Sequence, residues 1–205
     1  MPQERKVFRL AGKGILLAMV SMACAAPVLA STAAHVDFAI GAVTATGKDG
    51  RARSLVKGGE VVSGDRVVTR NGRAQLRFTD GAYVSLQPNT TFEVREYRYD
   101  GKTDGTEKGI FGLLRGALRT VTGLIGRVNR DAYQIQTPTA TVGIRGTGGI
   151  VEVLADGTTR VTGTSGTWYL SKRNQDPLDV PAGTDRKSTR LNSSHSQQSR
   201  MPSSA

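Results

Sequence analysis

Thr137-Pro138-Thr139-Ala140-Thr141-Val142-Gly143-Ile144-Arg145-Gly146-Thr147-Gly148-Gly149-Ile150-Val151-Glu152-Val153 is the stretch from which the fold is read. Ahead of it Tyr133, Ile135 and Thr137 alternate with Gln134 and Gln136, and within it Ala140, Val142 and Ile144 alternate with Thr139, Thr141 and Gly143. Both halves therefore read as strands. Pro138 cannot donate to a ladder and marks a break between them, while Gly146, Gly148 and Gly149 permit a tight corner with positive φ or close packing. Arg145 stands at that corner with five donors. The spacing predicts that its guanidinium ties down carbonyls exposed there, with contact to a ligand as the alternative.

The order G-x-x-G-x-G-G fits neither nucleotide-binding glycine pattern, and a strand, not a helix N-terminus, follows it. Gly143-Ile144-Arg145-Gly146 matches the GXXG of KH domains, but that loop joins helices and this one joins strands.

Outward from this stretch, turn signals recur as Asp49-Gly50, Gly58-Gly59, Asn71-Gly72, Asp80-Gly81, Pro88-Asn89, Asp100-Gly101, Asp104-Gly105 and Asp156-Gly157. Between them lie strand-length runs at 39–46, 59–62, 65–69, 74–78, 82–86 and 91–97, and a later one at 167–170. The fold class is all-β, with many short strands. Only Lys108 to Arg127 competes as a helix, with Ile110, Leu114, Ala117, Val121 and Leu124 at helical spacing. Gly112, Gly116 and Gly123 inside it would cost about 1 kcal/mol each, so the strand reading is preferred. It puts Leu114, Gly116, Leu118 and Thr120 on one face.

The ends differ from the middle. Basic residues Arg5, Lys6, Arg9 and Lys13, the apolar run from Gly14 and Val28-Leu29-Ala30 before Ser31 read as a secretory signal peptide over 1–30, cleaved between Ala30 and Ser31. An uncleaved membrane anchor is the alternative. Residues 31–173 form the β domain, and 174–184, with Pro177 and Pro181-Ala182-Gly183, read as a linker or the start of a further region. Asp185 to His195 reads codon by codon as a translated sequencing adapter, so 185–205 is expected to be an unfolded tail of foreign origin.

Setting aside eight basic and two acidic residues at the two ends reduces 28 Lys and Arg against 17 Asp and Glu to 20 against 15, about +5 instead of +11. Nucleic acid is not an expected partner. The one cysteine, Cys24, lies in the leader, which leaves no thiolate for disulfides or metal. Five of the aspartates precede glycine, where turn chemistry explains them, and no calcium-loop pattern occurs. His35 is the only histidine between the two ends, in a segment expected to fray. No catalytic constellation, cofactor or metal is predicted.

Four pieces of this chain resemble the FecR domain family. They are Gly64-Asp65-Arg66-Val67-Val68-Thr69, then Phe78 to Thr90 around Asp80-Gly81, then Leu114-Arg115-Gly116-Ala117-Leu118, and finally Thr137-Pro138-Thr139-Ala140 with Arg145-Gly146-Thr147. The resemblance implies a solenoid-like or sandwich-like domain of the bacterial envelope, without catalytic residues. Arg145, Gly146, Thr147, Asp80 and Gly81 are its structural motif or partner contacts. The family's namesake relays ferric-citrate transporter occupancy to a sigma factor through a cytoplasmic segment. Only 13 residues precede the apolar run here, so that control is not expected. The function expected is an exported, non-enzymatic periplasmic module for protein interaction, signalling or scaffolding, whose envelope partner binds exposed strand edges. A glycan or small-ligand module is the alternative, requiring an exposed platform from Tyr83, Tyr97, Tyr99, Trp168 and Tyr169.

Overall fold

The computed structural model of the chain describes residues 31–171 and 177–188, with 145–147 and 188 described for their backbone alone. Fourteen strands hydrogen-bond into one continuous sheet that folds over on itself into two layers. They are β1 (Thr32–Ile40), β2 (Val43–Thr46), β3 (Ala52–Ser54), β4 (Glu60–Val62), β5 (Arg66–Thr69), β6 (Arg73–Phe78), β7 (Tyr83–Leu86), β8 (Thr90–Arg98), β9 (Lys108–Val121), β10 (Tyr133–Gln136), β11 (Thr141–Val153), β12 (Thr159–Ser171), β13 (Leu178–Pro181) and β14 (Asp185–Ser188). One short helix, α1 (Leu124–Val128), and a 3-10 turn at Arg130–Ala132 join β9 to β10.

The pairing separates the layers. The first runs β3-β2-β5-β8-β9-β10-β11-β12-β13, using the N-terminal parts of β9 and β11 and the C-terminal part of β12. The second runs β4-β1-β6-β7-β9-β11-β12-β14, using the other ends of the same three long strands. Strands β9, β11 and β12 therefore belong to both layers, passing between them at irregularities. All pairs are antiparallel except β9 with β10, where the α1 excursion lets the chain return in the same direction.

Side-chain alternation fills the space between the layers. Phe78 from the second layer meets Tyr97 at 5.2 Å and Phe111 at 5.0 Å from the first, and Phe111 meets Tyr133 at 5.1 Å between ring centroids. Such offset and edge-on contacts add to the area these rings bury. The sandwich reading is the one realised.

Strand β9 shows how one long strand serves two layers. Phe111 and Leu113 point inward in its first half, whereas Leu118 and Thr120 do so in its second. The inward face thus changes from odd to even positions, and the face expected to unite Leu114 with Leu118 does not exist. The change occurs at Gly116, whose φ of +85° suits glycine, and whose missing Cβ leaves room for the backbone of Asn89 and Thr90. Thr90 Oγ1 holds the kink, accepting from Ala117 N–H and donating to Ala117 O, both at 3.1 Å.

Other expectations need correction. His35 does not fray: its strand pairs with β4 on one side and β6 on the other, opposite Glu60 and Arg77. The run at 39–46 is two strands, because the chain changes layer at Gly41-Ala42. Leu178–Pro181, within the segment read as a linker or the start of a further region, pairs with Leu170–Thr167, and Asp185–Ser188, the first four residues of the expected tail, pairs with Thr162–Thr159, while the rest of that tail lies outside the described residues. Both lie at open sides of β12, where backbone groups pair with an extended segment of nearly any sequence. The glycine corner is a bulge inside one strand: β11 runs unbroken from Thr141 to Val153, with register shifts against β12 between Arg145 and Gly148 and again before Gly149. Gly148 does not take positive φ.

Candidate functional site

The glycines of β11 serve an aromatic core. Trp168 is fully buried between the layers, and a Cβ at Gly149 would overlap its six-membered ring while one at Gly163 would lie 3.2 Å from its Cδ1. Its indole N–H donates to Gly148 O at 2.9 Å, so the polar atom is satisfied as well as the ring. Gly143 does the same for a second ring on the outer face, where a Cβ would overlap Tyr169.

The five Asp-Gly turns form as their chemistry requires. Asp49, Asp80, Asp100, Asp104 and Asp156 each accept the N–H two residues ahead through Oδ1, at 2.8 to 3.1 Å. Asp80 goes further. It is buried, and it also accepts from Tyr97 O–H at 3.2 Å and, through Oδ2, from Ile125 N–H at 3.2 Å, while its own N–H donates to Tyr97 Oη at 2.9 Å. Asp80 thus binds β6, β7, β8 and α1 together from inside, while Gly81, with φ of +85°, lies exposed at the tip of the turn. Burial pushes the Tyr97 and Tyr133 phenols well above their ordinary value, and the Asp80 charge adds to it. The side chains of Arg145 and Thr147 and the surroundings of Gly146 lie outside the described residues, as does Ala30 on the leader side of the expected cleavage point before Ser31. The backbone of Arg145 stands opposite Thr167.

The glycan platform is not assembled. Trp168 and Tyr97 are core, and Tyr83 lies on the outer face of the second layer with the Arg77 guanidinium 5.8 Å over its ring. Tyr99 packs against the core and Tyr169 covers Gly143 across the fold, so no row of rings forms.

What the structure does assemble is a polar band on the outer face of the first layer. Thr46, Arg66, Glu93, Gly112, Gln136, Thr141 and Ser171 stand directly opposite one another on seven successive strands. At about 4.8 Å between strands the band is about 29 Å long. Glu93 organises it: Oε1 accepts from Arg66 Nε at 2.9 Å and Nη2 at 2.8 Å, and Oε2 accepts from Arg95 Nε at 3.0 Å. Burial pushes the Glu93 carboxyl up, but the bonds from Arg95 and Arg66 outweigh it and hold the group below its usual range.

Arg95 occupies this face through a bulge. The register of β8 against β9 shifts between Val94 and Glu96, so Arg95 and Glu96 both turn outward between the inward Val94 and Tyr97. The Arg95 side chain then crosses Gly112, where a Cβ would stand 2.8 Å from its Nε, and donates through Nη1 to Gln136 Oε1 at 2.6 Å. Hollows flank it on both sides. One of about 510 Å³ is lined by Thr46, Gly47, Lys48, Gly64, Arg66 and Glu93 among others, and one of about 630 Å³ by Gln136, the Thr137–Ala140 turn, Thr141 and Ser171.

None of these groove residues was singled out from the sequence as a contact. The adjacent charges Glu93, Arg95 and Glu96 are visible there, but the bulge that turns two neighbours outward depends on the partner strand.

The chain is thus a two-layered β module with polar groups arrayed on an open sheet face. The chain belongs to the FecR family: the profile described as FecR protein matches residues 65–167, from β5 through most of β12. No curated protein matches it at a significant level. Two crystal structures of a candidate anti-sigma factor from Parabacteroides distasonis ATCC 8503 are similar to it, each with 17% identity and a TM-score of 0.45, covering 61% of this chain and 54% of theirs. The chain thus spans about half the length of these structures.

Proposed function

We propose that this chain is an exported, non-enzymatic envelope module that works by binding another protein, in signalling or as a scaffold. The observation that carries this reading is where the family match falls: residues 65–167 contain Arg66, Glu93, Arg95, Gly112, Gln136 and Thr141, most of the polar band. The seven-strand face would provide the contact, and the short outer strands, β3, β4, β13 and β14, would be secondary docking edges. Export would follow from residues 1–30 acting as a signal peptide. Among the described residues no helix is long and apolar enough to cross a membrane.

The test is expression of the full chain with a C-terminal tag in a Gram-negative host, followed by fractionation and N-terminal sequencing. Export predicts a periplasmic product beginning at Ser31; an intact Met1 in the membrane fraction would replace it with the anchored form. The recovered protein should then capture a defined partner from envelope extract of its own source organism. Failure to retain any protein above a matched unrelated β domain would overturn the interaction reading.

A further inference from the structure

Resting on that interaction reading, we propose that the groove running from Lys48 past Arg66 and Arg95 to Ser171 receives an extended, acidic peptide segment of the partner. Charge is the first argument. The two hollows are lined by three cations, Lys48, Arg66 and Arg95, and by one carboxylate, Glu93. Both oxygens of that carboxylate are engaged by Arg66 and Arg95, so it orients the guanidiniums while the groove keeps a positive excess. Fixed guanidiniums suit planar carboxylates, which they can hold with two bonds at once.

Preorganisation is the second argument. The β8 bulge, the side-chain gap at Gly112 and the amide of Gln136 together hold Arg95 flat across the sheet. A cation already fixed in place loses little freedom on binding. The remaining lining, Gln136, Thr141 and Ser171, supplies an amide and hydroxyls that suit a peptide backbone, while the Thr137 and Thr139 hydroxyls bond to Thr159 and fix the turn that walls the second hollow.

The occupant's class follows from what the groove omits and how it runs. Neither hollow is lined by an aromatic ring, which a sugar chain would use for stacking. The groove crosses strands β5, β8, β9, β10 and β11, each paired on both sides, so the segment is held by side chains and not by joining the sheet as an added strand. At about 3.3 Å per residue, the band of about 29 Å accommodates roughly nine extended residues.

The experiment measures binding of fluorescent poly-L-glutamate to the purified exported chain at low salt, by anisotropy. Arg95→Ala and Gly112→Val should each weaken binding by about tenfold, whereas Arg119→Ala on the outer face of the second layer should change it less than twofold. Gly112→Val alters no charge, so its effect reports the placement of Arg95. Should it fail to fold, as a melt would reveal, Arg95→Ala compared with Arg119→Ala decides alone. Equal weakening by both arginine variants would overturn the groove in favour of general charge attraction. Polygalacturonate binding as tightly as polyglutamate, with the same sensitivity to Arg95, would overturn the peptide in favour of an acidic polysaccharide. Absence of polyglutamate binding refutes the groove even where the wild type captures a partner. Failed capture with intact, Arg95-dependent polyglutamate binding refutes the interaction function and leaves the groove's chemistry standing.

Discussion

If Gly149 exists to seat Trp168, its substitution and that of the tryptophan must be coupled. A methyl group at Gly149 would overlap an indole that is fully buried and hydrogen-bonded to Gly148 O, and the facing Gly163 strand leaves that ring little space to retreat. Overpacking of this kind costs about 1 to 3 kcal/mol. Displacing the ring also strains its N–H bond, so Gly149→Ala should cost about 3 kcal/mol. Trp168→Ala alone removes the largest buried side chain and should cost about 3 to 5 kcal/mol. In the Trp168→Ala background the methyl group enters the space the ring left. There the second substitution should cost nothing, or gain about 0.5 to 1 kcal/mol from replacing a glycine inside a strand. The coupling is therefore about 3 kcal/mol or more, well outside the error of urea denaturation of the four proteins in the cycle. Costs that simply add would refute the seating argument and return Gly149 to a purely backbone role.

Asp80→Ala strands the Ala82 and Ile125 N–H groups in the interior and leaves the Tyr97 hydroxyl with only Thr79 Oγ1 and the backbone N–H of residue 80, and should cost about 2 to 4 kcal/mol by urea denaturation. Asp100→Ala, in a similar but exposed turn, should cost less than about 1 kcal/mol, and equal losses would contradict the buried role of Asp80. Tyr97 and Tyr133 have folded-state values raised above the ordinary phenol, so the folded chain keeps protons that the unfolded chain releases. The stability they contribute is complete below about pH 10 and is lost as pH rises beyond it, so the urea midpoint should hold steady up to about pH 9.5 and fall progressively above about pH 10. A midpoint that stays constant, or a drop unchanged in Tyr97→Phe, would refute this. Removing residues 185–205 deletes β14, whose described side chains are exposed, and should move the melting temperature by no more than about 3 °C. A larger loss would make that strand part of the stabilising structure.

Local chemistry was legible in the sequence wherever it acts locally. Each Asp-Gly pair marks a turn because the carboxylate and the N–H it accepts are two residues apart, and short alternating runs such as 74–78 mark strands because period two needs no partner. Ala52–Ser54 escaped because three exposed residues carry no alternation. Assignment of strands to layers was not legible, since residues 39–46 look continuous until β6 and β5 claim different parts of them. The seat of Trp168 escaped for the same reason: Gly149 lies nineteen residues away and meets the ring only after the sheet has folded over. Arg95 was hidden because a bulge is a disagreement between two strands, and one strand's sequence does not contain it.

The three strands common to both layers divide the molecule mechanically. In the half built from β1 to β8 the layers are joined by turns, so they can shear past one another by small changes at those turns. In the other half β9, β11 and β12 cross from one layer to the other as stiff struts, and sliding there would break register along several ladders at once. Gly112, Gln136, Thr141 and Ser171, at one end of the polar band, stand on or beside these struts, whereas Thr46 and Arg66 stand on the more yielding side. A load that bridges Arg66 and Gln136 would therefore clamp the compliant half against the rigid one. The expected mark of such clamping is slower amide exchange in β2 and β5, with β11 and β12 already slow before it.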